Sequence, residues 1–122
     1  YERTQSRLGT DMWSGLDLYL ENSPVFGANK VNTPTLIMHN DKDGAVPWYQ
    51  GIEYYMALRR NQKEVWMLNY NGEAHNLRKR HNRMDLTIRM SQFFDFYLLG
   101  SEAPEWMTHG RKALEKEKNK AY

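Results

Sequence analysis

Residues 33–47 read TPTLIMHNDKDGAVP, and this stretch decides the fold. The apolar run within 35–39 follows a proline and stops at turn residues, which predicts a short β-strand buried on both faces. Polar and glycine residues continue to Pro47, whose fixed φ suits the first turn of a helix. The stretch therefore predicts a strand, an acidic loop and a helix in direct succession.

The same order of strand and turn recurs downstream. Residues 64–70 contain the apolar run VWML and are predicted as a second strand. Residues 71–76 read NGEAHN, which begins with the turn-forming pair Asn-Gly. Each predicted strand is therefore followed by a polar loop that carries titratable side chains.

Three helices are predicted around the strands. Apolar residues recur at helical spacing in 11–19, before a break at Ser23-Pro24 and Gly27. Trp48, Ile52, Tyr55 and Met56 give a second helix one apolar face. The third helix is long and carries Met84, Leu86, Met90, Phe93, Tyr97 and Leu98. Gly100 stands where a helix is commonly terminated by glycine.

This alternation of strands and helices predicts an α/β fold with right-handed parallel crossovers. Two strands are few for such a sheet, which averages about 5–6 strands. Strands of a buried type would also leave unpaired edges if they stood alone. We therefore interpret residues 1–100 as the C-terminal part of a larger α/β catalytic domain. Residues 101–122 read as a tail that Trp106 and Met107 dock.

Composition narrows the class of protein. The chain has 122 residues, of which 40% are hydrophobic and 26% charged, a globular profile. With a net charge of +2, the basic clusters at 78–81 and 111–120 are expected to be solvated faces, not nucleic-acid or lipid sites. No run approaches the roughly 20 apolar residues of a membrane span, and residues 1–10 do not resemble a signal peptide. The absence of cysteine excludes disulfides and thiolate metal sites.

The two polar loops carry an acid and a base, Asp43 and His75. Reactive groups of open α/β sheets gather beyond the carboxyl ends of the strands, and adjacent parallel strands bring such loops together. A carboxylate that holds one nitrogen of an imidazole prepares the other to take a proton from a nucleophile. The chain order, acid before histidine, is that of an α/β-hydrolase. The alternative is that two unrelated loop residues lie on an α/β fragment.

Segments 33–47 and 71–76 resemble the aspartate and histidine loops of the prolyl oligopeptidase family of serine peptidases. In that family a Pro-led strand ends in His, an acid-rich turn leads to Val-Pro and a helix, and an acidic or Gly-rich turn precedes the second His. The resemblance runs from residue 1 to about residue 100. It implies an α/β-hydrolase fold, a peptide substrate and no metal or organic cofactor, with Asp43 as triad acid and His75 as triad base.

The chain departs from the family pattern at two places. Asn40 stands where the family has Gly, a substitution compatible with a turn. No Gly-x-Ser-x-Gly motif occurs anywhere in the 122 residues. The resemblance implies a nucleophilic serine upstream, so the expected partner is the remainder of the same catalytic domain. We expect the isolated chain to be inactive and to associate with itself through its strand edges.

The other acids and histidines considered are expected to lie outside the proposed acid–base pair. Asp41 is the rival acid and is expected to hydrogen-bond the turn backbone. His39, at the strand end, is expected to be packed and hydrogen-bonded. His81 and His109 are expected on the surface. His75 and His81 are six positions apart, which does not suit a zinc site on one helix face.

Two alternatives to a peptidase remain open from the sequence. A carboxylesterase or acetyl esterase would use the same acid and base loops on the same fold. A non-catalytic interaction module would keep the strands without the chemistry. It predicts a stable monomer with a closed core, whereas a fragment predicts exposed strand edges.

Overall fold

A computed structural model describes residues 2–110. Its elements are, in order, α1 (Leu16–Glu21), a 3-10 helix (Pro24–Lys30), β1 (Thr35–Met38), α2 (Trp48–Arg60), β2 (Val65–Leu68), α3 (Arg80–Leu99) and α4 (Glu105–Thr108). The chain forms two compact units, of which the first ends at His75 and the second begins at Asn76. Most of the predicted tail, residues 111–122, lies outside the described part.

The two strands pair in parallel, as predicted. Their register matches Thr35 with Val65 and continues to Met38 and Leu68. One further backbone bond, from the N–H of His39 to the carbonyl of Leu68 at 3.1 Å, extends the pairing to the start of the loop. Because α2 connects β1 to β2, the unit is a β-α-β crossover. Its architecture is that of a partial α/β fragment.

The core of the first unit gathers around α2. Leu58 is completely buried, and it clusters with Ala28 of the 3-10 helix and Val65 of β2. Ile37 packs against this cluster, whereas all four residues of β1 remain partly exposed. The prediction that β1 is buried on both faces is therefore wrong for this structure. Among the residues of β1, Ile37 packs against the apolar cluster, so the cluster covers this strand incompletely.

The first helix begins later than predicted. Residues 11–14 form a turn in which the Asp11 carboxylate accepts the Ser14 N–H at 2.8 Å. Asp commonly bonds nearby backbone groups in this way and so competes with the helix. Gly15 then has a non-helical conformation, with φ −135°, and α1 begins at Leu16. Trp13, expected on the helix, is 85% exposed in the turn.

Prolines mark the start of two helices. Pro24 is the first residue of the 3-10 helix, whereas the sequence predicts only a break there. Its ring fixes φ and its missing N–H costs nothing at a helix start. Pro47 immediately precedes α2, one position before the predicted one. In α2 the predicted apolar face is partly wrong, since Met56 is 49% exposed and Leu58 supplies the burial.

The second unit is built on the 20-residue helix α3. Gly100 ends it in the left-handed conformation, with φ +69°, as the sequence predicted. Of the predicted apolar face, Phe93 is buried but Met84 and Leu98 are exposed. Apolar side chains lie around the whole helix, so no single amphipathic stripe forms.

Trp106 packs the start of the predicted tail onto α3. Its Nε1–H donates to Gln92 Oε1 at 2.8 Å. The Arg89 guanidinium lies 5.6 Å from the centroid of the Trp106 ring, within cation–π range. The predicted docking by Trp106 is confirmed. Across residues 2–110, no helix combines the length and the apolarity that crossing a bilayer requires.

Candidate active site

Asp43 lies in the loop that follows β1, and local bonds fix its side chain. Its Oδ1 accepts the backbone N–H groups of Ala45 and Val46, both at 2.9 Å. Its own N–H donates to the Asn40 carbonyl at 3.2 Å. The side chain is only 4% exposed. An Asp followed by small residues folds into this turn because the carboxylate satisfies N–H groups that the turn leaves open.

His75 reaches Asp43 from the loop after β2. Its Nδ1 lies 2.8 Å from Asp43 Oδ2, so the contact expected from the parallel strands is present. An ionised carboxylate only accepts hydrogen bonds, and Nδ1 of His75 must therefore carry the proton. The His75 side chain is 55% exposed. This geometry leaves Nε2 as the nitrogen that can exchange a proton with a bound group.

Asp43 is strongly acidic in this setting. The N–H of Val46, together with the hydrogen bond to His75 and the N–H of Ala45, lowers its pKa from 3.8 to about 2, against the opposing effect of burial. All of these donors stabilise the ionised carboxylate. Asp43 is therefore negatively charged at neutral pH and available to stabilise an imidazolium at His75.

A second histidine touches the same carboxylate. His39 is 9% exposed, and its Nε2 lies 3.3 Å from Asp43 Oδ2 and 3.2 Å from the Val46 carbonyl. Both neighbours are acceptors, so Nε2 of His39 carries the proton and shares it between them. The expectation of a packed, hydrogen-bonded His39 is confirmed. The sequence does not predict its contact with Asp43.

Asp41, the rival acid, hydrogen-bonds to backbone and not to the His75 ring in the contacts described. Its Oδ1 accepts the Gly72 N–H at 2.7 Å, in the loop that carries His75. The expected bond from Asp41 to turn backbone is therefore present, but its donor lies in the loop after β2 and not in the loop that contains Asp41. A backbone bond from Lys42 N–H to the Glu73 carbonyl, at 3.2 Å, lies beside it. The two loops are therefore tied together directly.

The remaining histidines lie in the second unit. His81 and His109 are exposed, as expected. His109 Nδ1 is 3.0 Å from the hydroxyl of Thr108. Residues 2–110 contain no cluster of three or more His, Asp or Glu side chains that could hold a metal ion.

Two serine hydroxyls of the first unit bond groups other than His75. The Ser14 hydroxyl donates to the Asp11 carboxylate, and the Ser23 hydroxyl donates to the Tyr19 carbonyl. The Asp43–His75 pair can hold and transfer a proton, whereas attack on a carbonyl would also require a nucleophile.

The sequence of this chain matches a known protein family over most of its length. A profile of the prolyl oligopeptidase family matches residues 1–101. The chain belongs to this family. The resemblance inferred from the two loops is thereby confirmed.

Individual members of the prolyl oligopeptidase family match over different lengths. The chain is 30% identical over 104 residues to the uncharacterized peptidase YuxL of Bacillus subtilis (strain 168), which covers 80% of this chain and 15% of YuxL. It is 39% identical over 62 residues to the acylamino-acid-releasing enzyme of Mus musculus, 51% of this chain and 8% of that enzyme. The human acylamino-acid-releasing enzyme is 40% identical over 58 residues, 48% of this chain and 8% of its own length. The chain thus spans a small part of these relatives.

Proposed function

We propose that this chain contributes the acid and the base of a Ser-His-Asp triad to a serine peptidase. Asp43 is the acid and His75 is the base. The observation that carries the proposal is the 2.8 Å contact between His75 Nδ1 and Asp43 Oδ2 at the ends of two parallel strands. Membership of the prolyl oligopeptidase family supports the same chemistry.

In the proposed mechanism His75 Nε2 accepts the proton of a serine hydroxyl as its oxygen attacks the peptide carbonyl. Asp43 stays ionised, keeps the proton of His75 on Nδ1 and stabilises the imidazolium. His75 then donates the transferred proton to the leaving amine, and water releases the acyl group by the same route in reverse. No step needs a metal or an organic cofactor.

The serine belongs, in this proposal, to the rest of the catalytic domain. We interpret the chain as the C-terminal portion of an α/β-hydrolase fold, whose nucleophile lies upstream in the parent polypeptide. Its partner is that remainder, which would pair with the open edges of the two-stranded sheet. In its absence those edges would favour self-association of the chain.

Short peptides are the proposed substrates. Several relatives are named acylamino-acid-releasing enzymes, so N-acylated peptides are the first class to test. A carboxylesterase would use the same acid and base, because one triad can cleave esters and amides. A matched pair of substrates, an N-acetyl amino-acid anilide and the corresponding ester, separates the two activities.

The test compares the 122-residue chain with its parent polypeptide on that substrate pair. We expect no hydrolysis by the chain and serine-inhibitor-sensitive hydrolysis by the parent. His75→Ala in the parent should lower kcat by about 10⁴-fold or more, and Asp43→Asn by about 10⁴-fold. His81→Ala, an exposed histidine, is the matched control and should keep full activity.

Two results would refute the proposal. Inhibitor-sensitive hydrolysis by the isolated chain would show that the nucleophile is not upstream. Full activity of the His75→Ala parent would remove the base from the mechanism. If the chain is instead an interaction module, size-exclusion chromatography should find a stable monomer, and the parent should hydrolyse neither substrate.

A further inference from the structure

Asn40 is the most enclosed polar side chain near the site. It follows His39 at the end of β1 and is 1% exposed, one of the two largest fully buried side chains described. A carboxamide with so little contact to water requires protein partners for its donors and its acceptor. Where those partners lie indicates what the side chain does.

Both partners of the Asn40 side chain belong to the loop that carries His75. The Tyr70 N–H donates to Asn40 Oδ1 at 3.2 Å, and Asn40 Nδ2 donates to the Ala74 carbonyl at 2.7 Å. Only this orientation of the amide pairs a donor with each acceptor. The carboxamide therefore spans the loop from the residue near its start to the residue that immediately precedes His75.

The backbone of Asn40 serves the other loop. Its carbonyl accepts the N–H of Asp43 at 3.2 Å. One residue thus holds the turn of the acid through its main chain and the approach to the base through its side chain.

We propose that Asn40 is a positioning residue that sets where the His75 imidazole meets Asp43. Without the bond to Ala74, the peptide before His75 loses its anchor, and the 2.8 Å contact between the ring and the carboxylate is no longer enforced. A glycine at position 40 would have no side chain to supply either bond to the loop that carries His75.

Independent bonds keep the loop attached when the Asn40 side chain is removed. Gly72 N–H donates to Asp41 Oδ1, and Lys42 N–H donates to the Glu73 carbonyl. Asn40→Gly should therefore release the ends of the loop while its middle stays tied. This difference can be measured residue by residue.

The experiment uses NMR on the 122-residue chain and its Asn40→Gly variant, with ¹⁵N-labelled histidine. In the wild type at pH 8 we expect the His75 ring mainly as the Nδ1–H tautomer. In Asn40→Gly we expect the tautomer population to shift toward Nε2–H, with His109 as the unchanged internal reference. Amide exchange at Tyr70 should become about tenfold faster, while Gly72 keeps its protection.

Asn61→Ala is the matched control. Asn61 Nδ2 also donates to a backbone carbonyl, that of Ala57 at 2.8 Å, but at the end of α2. This variant should leave the His75 ring signals unchanged, whatever it does to thermal stability.

Each outcome decides the proposal. Faster exchange at Tyr70 with an unmoved His75 ring would reduce Asn40 to a structural residue and overturn it. If Asn40→Gly loses protection throughout, Asn40→Asp replaces it, since a carboxylate keeps the acceptor for Tyr70 but lacks the donor to Ala74. That variant must then shift the His75 ring. The positioning role of Asn40 rests on the proposed triad. Because the His75 ring signals are recorded without any hydrolysis, a failure of this role and a failure of the proposed peptidase activity are detected in separate experiments.

Discussion

His39 and His75 share one oxygen atom. His75 Nδ1 lies 2.8 Å and His39 Nε2 lies 3.3 Å from Oδ2 of Asp43. The two rings come from different loops and differ in exposure, since the side chain of His39 is 10% exposed and that of His75 is 55% exposed. The buried ring therefore holds the carboxylate from inside the fold, and the exposed ring keeps its Nε2 accessible to a bound group.

The role of His39 can be tested with two substitutions in the parent polypeptide. His39→Leu removes the Nε2–H donor, while the amide of His39→Gln can place a donor near the same point. We expect kcat/KM to fall about tenfold or more for Leu and clearly less for Gln, because a hydrogen bond to a charged group contributes about 1.5 kcal/mol or more, which corresponds to about tenfold. Equal losses for Leu and Gln would show that only packing matters. His109→Leu, in the second unit, is the control.

Acid stability should report the pKa of Asp43. The folded-state pKa of about 2 lies below the ordinary 3.8, so folding favours the ionised form. This stabilisation is fully present above the unfolded-state pKa and is lost as pH falls through about 2. The difference in Tm between the wild type and Asp43→Asn should therefore be largest near pH 5 and shrink toward pH 2. A difference that stays constant over this range would contradict the assignment.

The close packing of the His39 ring against Gly51 can be tested by substituting Gly51. A Cβ at Gly51 would collide with the His39 ring, although Ala normally favours a helix interior over Gly. Gly51→Ala should therefore destabilise the chain by about 1–3 kcal/mol, measured by denaturant unfolding. Gly27→Ala, where a Cβ meets open space, is the control and should not destabilise. If the clash is the cause, His39→Ala combined with Gly51→Ala should restore part of the loss.

Leu58 should dominate the stability of the first unit. It is completely buried in the cluster with Ala28 and Val65. Leu58→Ala should lower the free energy of unfolding by about 2–5 kcal/mol through lost burial and the cavity it leaves. Leu99→Ala, at a leucine that is 75% exposed, should change it by less than about 0.5 kcal/mol. Similar effects of the two substitutions would contradict the observed core.

Local chemistry made several elements predictable. Thr35–Met38 and Val65–Leu68 are short apolar runs that end at turn residues, and Gly100 sits at the end of a long apolar pattern. These signals depend only on residues that are close together in the chain, so the two strands and the helix end can be predicted from the sequence alone. The predicted start of α1 is wrong because the Asp11 side chain forms a turn with Ser14. A periodic pattern of apolar residues does not show that such a turn competes with the helix.

Burial was less predictable than the elements. Met56 and Met84 fit helical apolar patterns but are exposed, while Leu58 is enclosed. A pattern gives the period of a face, but which residues are covered depends on the elements that pack against it.

By itself the sequence determined two short strands, each followed by a polar loop, of which the first carries Asp43 and the second carries His75, and the family to which those loops belong. Only the tertiary structure decided that the Asp41 carboxylate binds the loop that carries His75, that His39 shares an oxygen of Asp43 with His75, and that Asn40 joins the two loops. The physical reason is that the contacts between the two loops join residues 31, 32 and 34 positions apart, whereas the contact of His39 with Asp43 depends on how the loop after β1 folds back onto the end of its own strand. The geometry of the contacts between the loops is set by the strand register, on which a single hydrogen bond depends to within a fraction of an ångström.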